Sequence, residues 1–138
     1  MSHVDPTREQ FGAFKSLPRD HPIHMLNLVR LRDRAAYPDG RTASGREAYQ
    51  AYGRESEPVL RRVGGKIFWL GEFQHTVIGP PEERWDIVFI AEYPDAEAFI
   101  AMLRDPEYRE AVKHRQAAVE DSRLIRLKPR PPGQGFGE

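Results

Sequence analysis

The sequence predicts one α+β domain: a four-stranded antiparallel sheet in βαββαβ order, with helices on one face and an extra helix at the N-terminus. Three observations predict it. Four short apolar segments alternate with two stretches of helical periodicity, in the order strand, helix, strand, strand, helix, strand. The two most apolar segments are apolar on both faces, Leu26, Leu28, Val88 and Ile90 on one and Met25, Val29, Ile87 and Phe89 on the other. And 138 residues can build one sizeable core but not two.

Taken in order, Asp5-Pro6 reads as an N-cap followed by a first-turn proline, opening a short helix that ends before Pro18. The stretch HMLNLVRLR, residues 24–32, is the first strand, with the amide of Asn27 in the middle of its apolar run. YPDGRTAS is turn-rich, and Ser44-Gly45-Arg46-Glu47 then has capping-box spacing. Behind it Ala48, Tyr52, Val59, Leu60 and Val63 recur at helical intervals, Pro58 predicts a kink or break, and Gly64-Gly65 suits a left-handed C-cap. Lys66 to Phe73 is the second strand, and Trp85 to Tyr93, after IGPPEER, the third. Asp95 caps a helix carrying Phe99, Met102 and Leu103. Asp105-Pro106 restarts it with Tyr108, Ala111, Val112 and Arg115 on the next face. Arg123 to Leu127 is the last strand. The domain therefore spans 1–128, and 129–138, ending in RPPGQGFGE, is expected to be a mobile tail.

This order is the ferredoxin-like split βαβ. Its helices can cover only one face of the sheet, yet both faces are apolar. The uncovered face is then a large apolar patch, and sheet-to-sheet homodimerisation is the expected remedy. Lys+Arg and Asp+Glu both count 21, so no basic surplus points to nucleic acid or an anionic membrane. No cysteine is present, which excludes disulfides and thiolate chemistry. MSHVDPTREQ lacks the apolar core of a secretion signal, and the longest apolar run, Ala98 to Leu103, is too short to span a bilayer. A cytoplasmic location is expected.

HMLNLVRLR, SGREAYQAY, GGKIFWLGE, IGPPEERWDIVFIAEYPDAEAF and RDPEYREAVKHRQAAVEDSRLI together resemble the family called domain of unknown function 1330, over about residues 23–128. The most specific part runs from Trp85 through Tyr93-Pro94 to Phe99 and Asp105-Pro106-Glu107-Tyr108. The resemblance implies a dimeric α+β barrel, two ferredoxin-like sheets packed face to face. Relatives in that superfamily include cofactor-independent monooxygenases, lactone isomerases, haem-degrading enzymes and haem peroxidases, and their ligands bind between sheet and helices. Haem degraders carry an asparagine on the first strand, a tryptophan ending the third and a histidine in the second helix. Here those positions are Asn27, Tyr93 and Val112, so an iron ligand is missing and no cofactor is expected.

Asn27 is the leading candidate for a site. A buried amide needs a partner, and two readings stand: it pairs with backbone, or it orients a small ligand's carbonyl or hydroxyl. Trp69, Trp85, Phe89 and Tyr93 are the aromatic lining candidates, with Trp85, Phe89 and Tyr93 on one strand face by alternation. Tyr52 reaches the same cavity from the helix, and Tyr49 is expected at its rim. His24 marks the barrel mouth, Arg30 and Glu92 are placed to pair across strands, and Glu110 and His114 share a helix face as a surface ion pair, so no metal is expected. Nucleophile-elbow, zinc and phosphate-loop signatures are absent from the sequence. Two classes remain: a monooxygenase or isomerase acting on a small organic ligand without a bound metal, and a non-catalytic homodimer that binds a metabolite or partner.

Overall fold

A computed structural model describes residues 2–137. The elements are α1 (Arg8–Ser16), β1 (Ile23–Leu31), α2 (Gly45–Arg62), β2 (Lys66–Gly71), β3 (Ile87–Tyr93), α3 (Ala96–Arg104), α4 (Pro106–Ala118) and β4 (Val119–Leu127). The strands form one antiparallel sheet in the order β2-β3-β1-β4, the ferredoxin-like arrangement predicted. After Leu127 no further helix or strand forms among the described residues, none of whose helices is long and apolar enough to cross a membrane.

Local capping chemistry sets most boundaries. The Ser44 hydroxyl accepts the Glu47 N–H at 3.0 Å while the Glu47 carboxylate accepts the Ser44 N–H at 2.8 Å, closing the predicted box. Gly45 follows as the first residue of α2, where a Cβ would stand 1.9 Å from the Arg32 carbonyl oxygen; only glycine fits. Gly64 ends α2 at φ +86°, the left-handed cap expected. Asp95 and Asp105 cap α3 and α4.

Several boundaries differ from expectation: β1 runs one residue earlier at each end, and β2 ends at Gly71, not Phe73. The cap of α1 is Thr7, whose hydroxyl accepts the Gln10 N–H at 3.0 Å, whereas the Asp5 carboxylate turns to Gln116. α2 runs unbroken through Pro58, because that proline and Arg54, four residues back, both lie on the exposed face, where water can take the orphaned carbonyl. β3 starts at Ile87, not Trp85: the Asp86 carboxylate accepts the Leu31 N–H at 2.7 Å in place of a ladder partner. β4 starts at Val119, since Val119 and Ser122 are buried in register with Leu31 and Val29.

Between sheet and helices lie two apolar clusters. One gathers Ile23, Met25, Ala91, Tyr93, Phe99, Met102 and Tyr108, the other Val29, Leu31, Ala48, Tyr49 and Val119. Along the covered side of β1, Ile23 and Met25 belong to the first and Val29 and Leu31 to the second. Asn27 falls in the gap between them. Tyr52 and Phe89 pack against both clusters.

The opposite face carries Leu26 and Leu28 flanked by Ile90, Val88 and Ile125, with Trp69 half-exposed beside Ile90. Register places His24, not Arg30, opposite Glu92, their side chains bonded at 2.8 Å. Arg30, six residues along the strand, instead reaches the Arg84 carbonyl at 3.4 Å.

Candidate functional site

The gap beside Asn27 opens into a cavity of about 680 Å³ between the covered sheet face, the helices and the N-terminal segment. Four of the predicted residues, Asn27, Tyr52, Phe89 and Tyr93, line it. Asn27 and Phe89 are register partners on adjacent strands, so their side chains rise from the sheet side by side. Tyr52 arrives from α2, carried inward by the stripe that begins at the capping box.

Two predicted residues stand elsewhere. β2 is irregular between Ile67 and Trp69, and this shift pairs Trp69 with Ile90, on the open face; its indole lies over Gly71, which has no side chain to block it. Trp85 precedes β3, so strand alternation does not govern it, and it packs under the Arg123 guanidinium at 5.4 Å. Tyr49 is not at the rim but buried in the second cluster.

The Asn27 side chain donates from Nδ2 to the Met25 carbonyl oxygen at 3.0 Å. That orientation follows from chemistry, since a carbonyl can only accept. Its Oδ1 has no protein partner among the described residues, and it is not sealed off, so it opens to the cavity. One end of the amide is spent on backbone, and the other is free.

Three phenols add to the polar lining. The Tyr52 and Tyr108 hydroxyls are bonded at 3.0 Å, and their rings meet edge to face at 6.1 Å. The Tyr93 hydroxyl reaches only the Met102 sulfur at 3.8 Å, a weak acceptor. Burial raises the pKa of Tyr93 and of Tyr108 above the ordinary phenol value, with the neighbouring Tyr52 adding to the rise. Tyr93 and Tyr108 therefore stand as neutral hydrogen-bonding groups at neutral pH. In the Tyr52–Tyr108 pair one hydroxyl donates its O–H to the other oxygen, which leaves the second O–H free to donate to another acceptor.

Three contributors to the cavity carry no role predicted from sequence. Tyr108 belongs to an apolar helix face by its spacing, although its hydroxyl marks it as more than packing. Arg115 shares that face with Tyr108 and Val112, and a charge in an apolar stripe is the available signal. The N-terminal wall, including Val4 and Phe14, leaves no local signal, because only the tertiary fold brings it here.

His114 does not pair with Glu110, which instead binds Lys113. Its Nε2 lies 2.9 Å from Glu55 and its Nδ1 2.6 Å from the Tyr37 hydroxyl, beside a separate cavity of about 540 Å³. Packing of α2 against α4 puts Glu55 within reach, a contact no spacing rule encodes. Val112, at the position where haem-binding relatives carry histidine, faces the larger cavity. The position that would ligate iron is thus aliphatic, and the imidazole of His114, two residues on, is engaged by Glu55 and Tyr37.

The family described as Domain of unknown function (DUF1330) matches residues 41–126, more than half the chain. The chain belongs to that family. Among solved structures, the methylated RPA0582 protein is 66% identical to this DUF1330 chain, covering 96% of it and 98% of its own length, with a TM-score of 0.94. RPA0582 from Rhodopseudomonas palustris, a protein of unknown function, is 64% identical, covering 96% and 100%, at a TM-score of 0.92. SnoaB from Streptomyces nogalater, a cofactor-independent oxygenase, shares the fold at 18% identity, covering 86% and 99%, with a TM-score of 0.50. No curated protein matches the chain.

Proposed function

We propose that this DUF1330 protein binds a small planar organic compound carrying a hydroxyl and a carbonyl group in the cavity between sheet and helices, as a homodimer joined through the open sheet face. The observation that carries the binding reading is the Asn27 side chain, whose Oδ1 opens unpartnered to a cavity in the gap between two apolar clusters. An acceptor left free there matches a ligand hydroxyl, and a phenolic O–H beside it matches a carbonyl. The apolar and aromatic walls, Met25, Phe89, Ala91 and Val112 among them, match a flat hydrocarbon body. The polar groups around Asn27 include its own amide and the Tyr52, Tyr93 and Tyr108 hydroxyls, which are suited to orient a ligand by hydrogen bonds. Binding is therefore the primary activity proposed.

The dimer rests on the apolar residues that the helices leave uncovered, Leu26, Leu28, Ile90, Ile125 and Trp69. Light scattering is expected to give twice the chain mass of 15.9 kDa, and Ile90→Asp to shift the protein toward monomer. A wild-type monomer would contradict this part. For the ligand, 6-acetyl-2-naphthol is a suitable probe. It is expected to raise the melting temperature of wild type and to lose that effect in Asn27→Leu; equal shifts in both proteins would contradict the site.

A further inference from the structure

The chain has no net charge, but its ligand cavity does. Four arginines, Arg109, Arg115, Arg123 and Arg126, line it against one carboxylate, Asp5. Arg123 is neutralised by Asp121 at 2.8 Å. Arg115 and Arg126 pair with no carboxylate among the described residues. Arg115 donates to the Val4 carbonyl at 2.5 Å and the Ser122 hydroxyl at 3.2 Å. Arg126 donates to the Phe14 and Pro18 carbonyls at 3.5 and 2.5 Å, with its guanidinium over the Phe14 ring at 5.0 Å. Each therefore spends two of the five N–H groups that a guanidinium carries.

Half-buried cations beside apolar walls, holding only neutral oxygens, are poorly compensated. From this charge imbalance we infer that the ligand carries a carboxylate, received by Arg115 with Arg126 as the second donor. The inference rests on the binding reading above and narrows its ligand to an aromatic hydroxy acid. Position favours Arg115 as the main anchor. Tyr108, Val112 and Arg115 follow one another at four and three residues along α4, so the guanidinium stands on the helix face that also presents the phenol. A carboxylate matches the planar fork of arginine, and such charge-assisted pairs are about twice as strong as neutral ones. The same two arginines hold the backbone of residues 4–18, so the N-terminal segment and the anion share donors. The site is complete only with that segment in place.

The test compares 6-hydroxy-2-naphthoate with 6-hydroxy-2-naphthamide, which keeps the ring, the hydroxyl and the carbonyl but removes the charge. Equilibrium dialysis at neutral pH is expected to show the carboxylate bound at least about tenfold more tightly than the amide. In Arg115→Gln that preference is expected to fall to about twofold, and in Arg115→Lys to be largely kept. Arg126→Gln, expected to reduce the preference by a smaller factor, serves as the second variant should Arg115→Gln fail to fold. Equal binding of both probes to wild type, or an undiminished preference in folded Arg115→Gln, overturns the anion inference and leaves the cavity reading standing. Binding of neither probe overturns the cavity reading itself.

Discussion

Replacing Asn27 by leucine separates a ligand-facing amide from a structural one. The amide makes one protein hydrogen bond, Nδ2 to the Met25 carbonyl at 3.0 Å. A bond of this kind contributes about 0.5–1.5 kcal/mol net. Met25 lies mid-strand in β1, paired with Ala91 on one side and Arg126 on the other, so its carbonyl sits within a ladder and is not left orphaned by the change. Against the lost bond stands the removal of an unpartnered Oδ1 from an apolar surrounding, which offsets a similar amount. Leucine is also close in size to asparagine and meets Met25 and Val29 along the same strand face. The two effects nearly cancel, and Asn27→Leu should lie within about 1 kcal/mol of wild type. Urea melts at fixed protein concentration check this, since the stability of a dimer depends on concentration. A loss of about 2–3 kcal/mol with probe binding intact would mean that the amide holds the sheet together and that its free oxygen is incidental.

Two further outcomes rest on the same geometry. Haemin titration is expected to give no stoichiometric Soret complex, because Val112 occupies the ligand position; a complex abolished by His114→Ala would show that this imidazole leaves Glu55 and Tyr37 to take up iron. The Glu92 carboxyl is held below the usual carboxylate range, chiefly by its hydrogen bond to His24, with Lys66 assisting. A folded-state pKa below the unfolded one adds stability above the ordinary glutamate value near 4.3, and that contribution is lost as pH falls through the depressed folded value. His24→Leu should move the Glu92 titration up toward the ordinary value, read by NMR of its side-chain carboxyl, and an unchanged midpoint would remove His24 as the cause.

Much of the fold is legible because it is written locally. Ser44 with Glu47, Asp95, Asp105 with Pro106, and Gly64 each satisfy backbone groups within a few residues, and each marks its boundary as predicted. Pro58 misleads because the cost of a helical proline depends on whether the orphaned carbonyl meets water, which requires knowing the exposed face. The site is legible in the same measure. Period-two alternation brings Asn27, Phe89 and Tyr93 together, and the helical stripe delivers Tyr52. Trp69 escapes because one irregular residue in β2 moves the later side chains of that strand to the other face, and Trp85 because a carboxylate, not a ladder, ends its strand pairing. Glu55 with His114, and the N-terminal segment with Arg115 and Arg126, are contacts made across the fold. Only the unpaired charge at Arg115 leaves a trace in the sequence.

The central claim is that a small ligand enters between sheet and helices and meets Asn27. The most direct measurement is an NMR titration of isotope-labelled protein with 6-hydroxy-2-naphthamide, following the Asn27 side-chain amide and the backbone signals of Ala91 and Val112. The account predicts saturable shifts at these three positions, with the signals of Leu28 and Ile90 on the opposite sheet face unmoved. Shifts confined to that opposite face, or to the separate cavity at Tyr37 and His114, would contradict it.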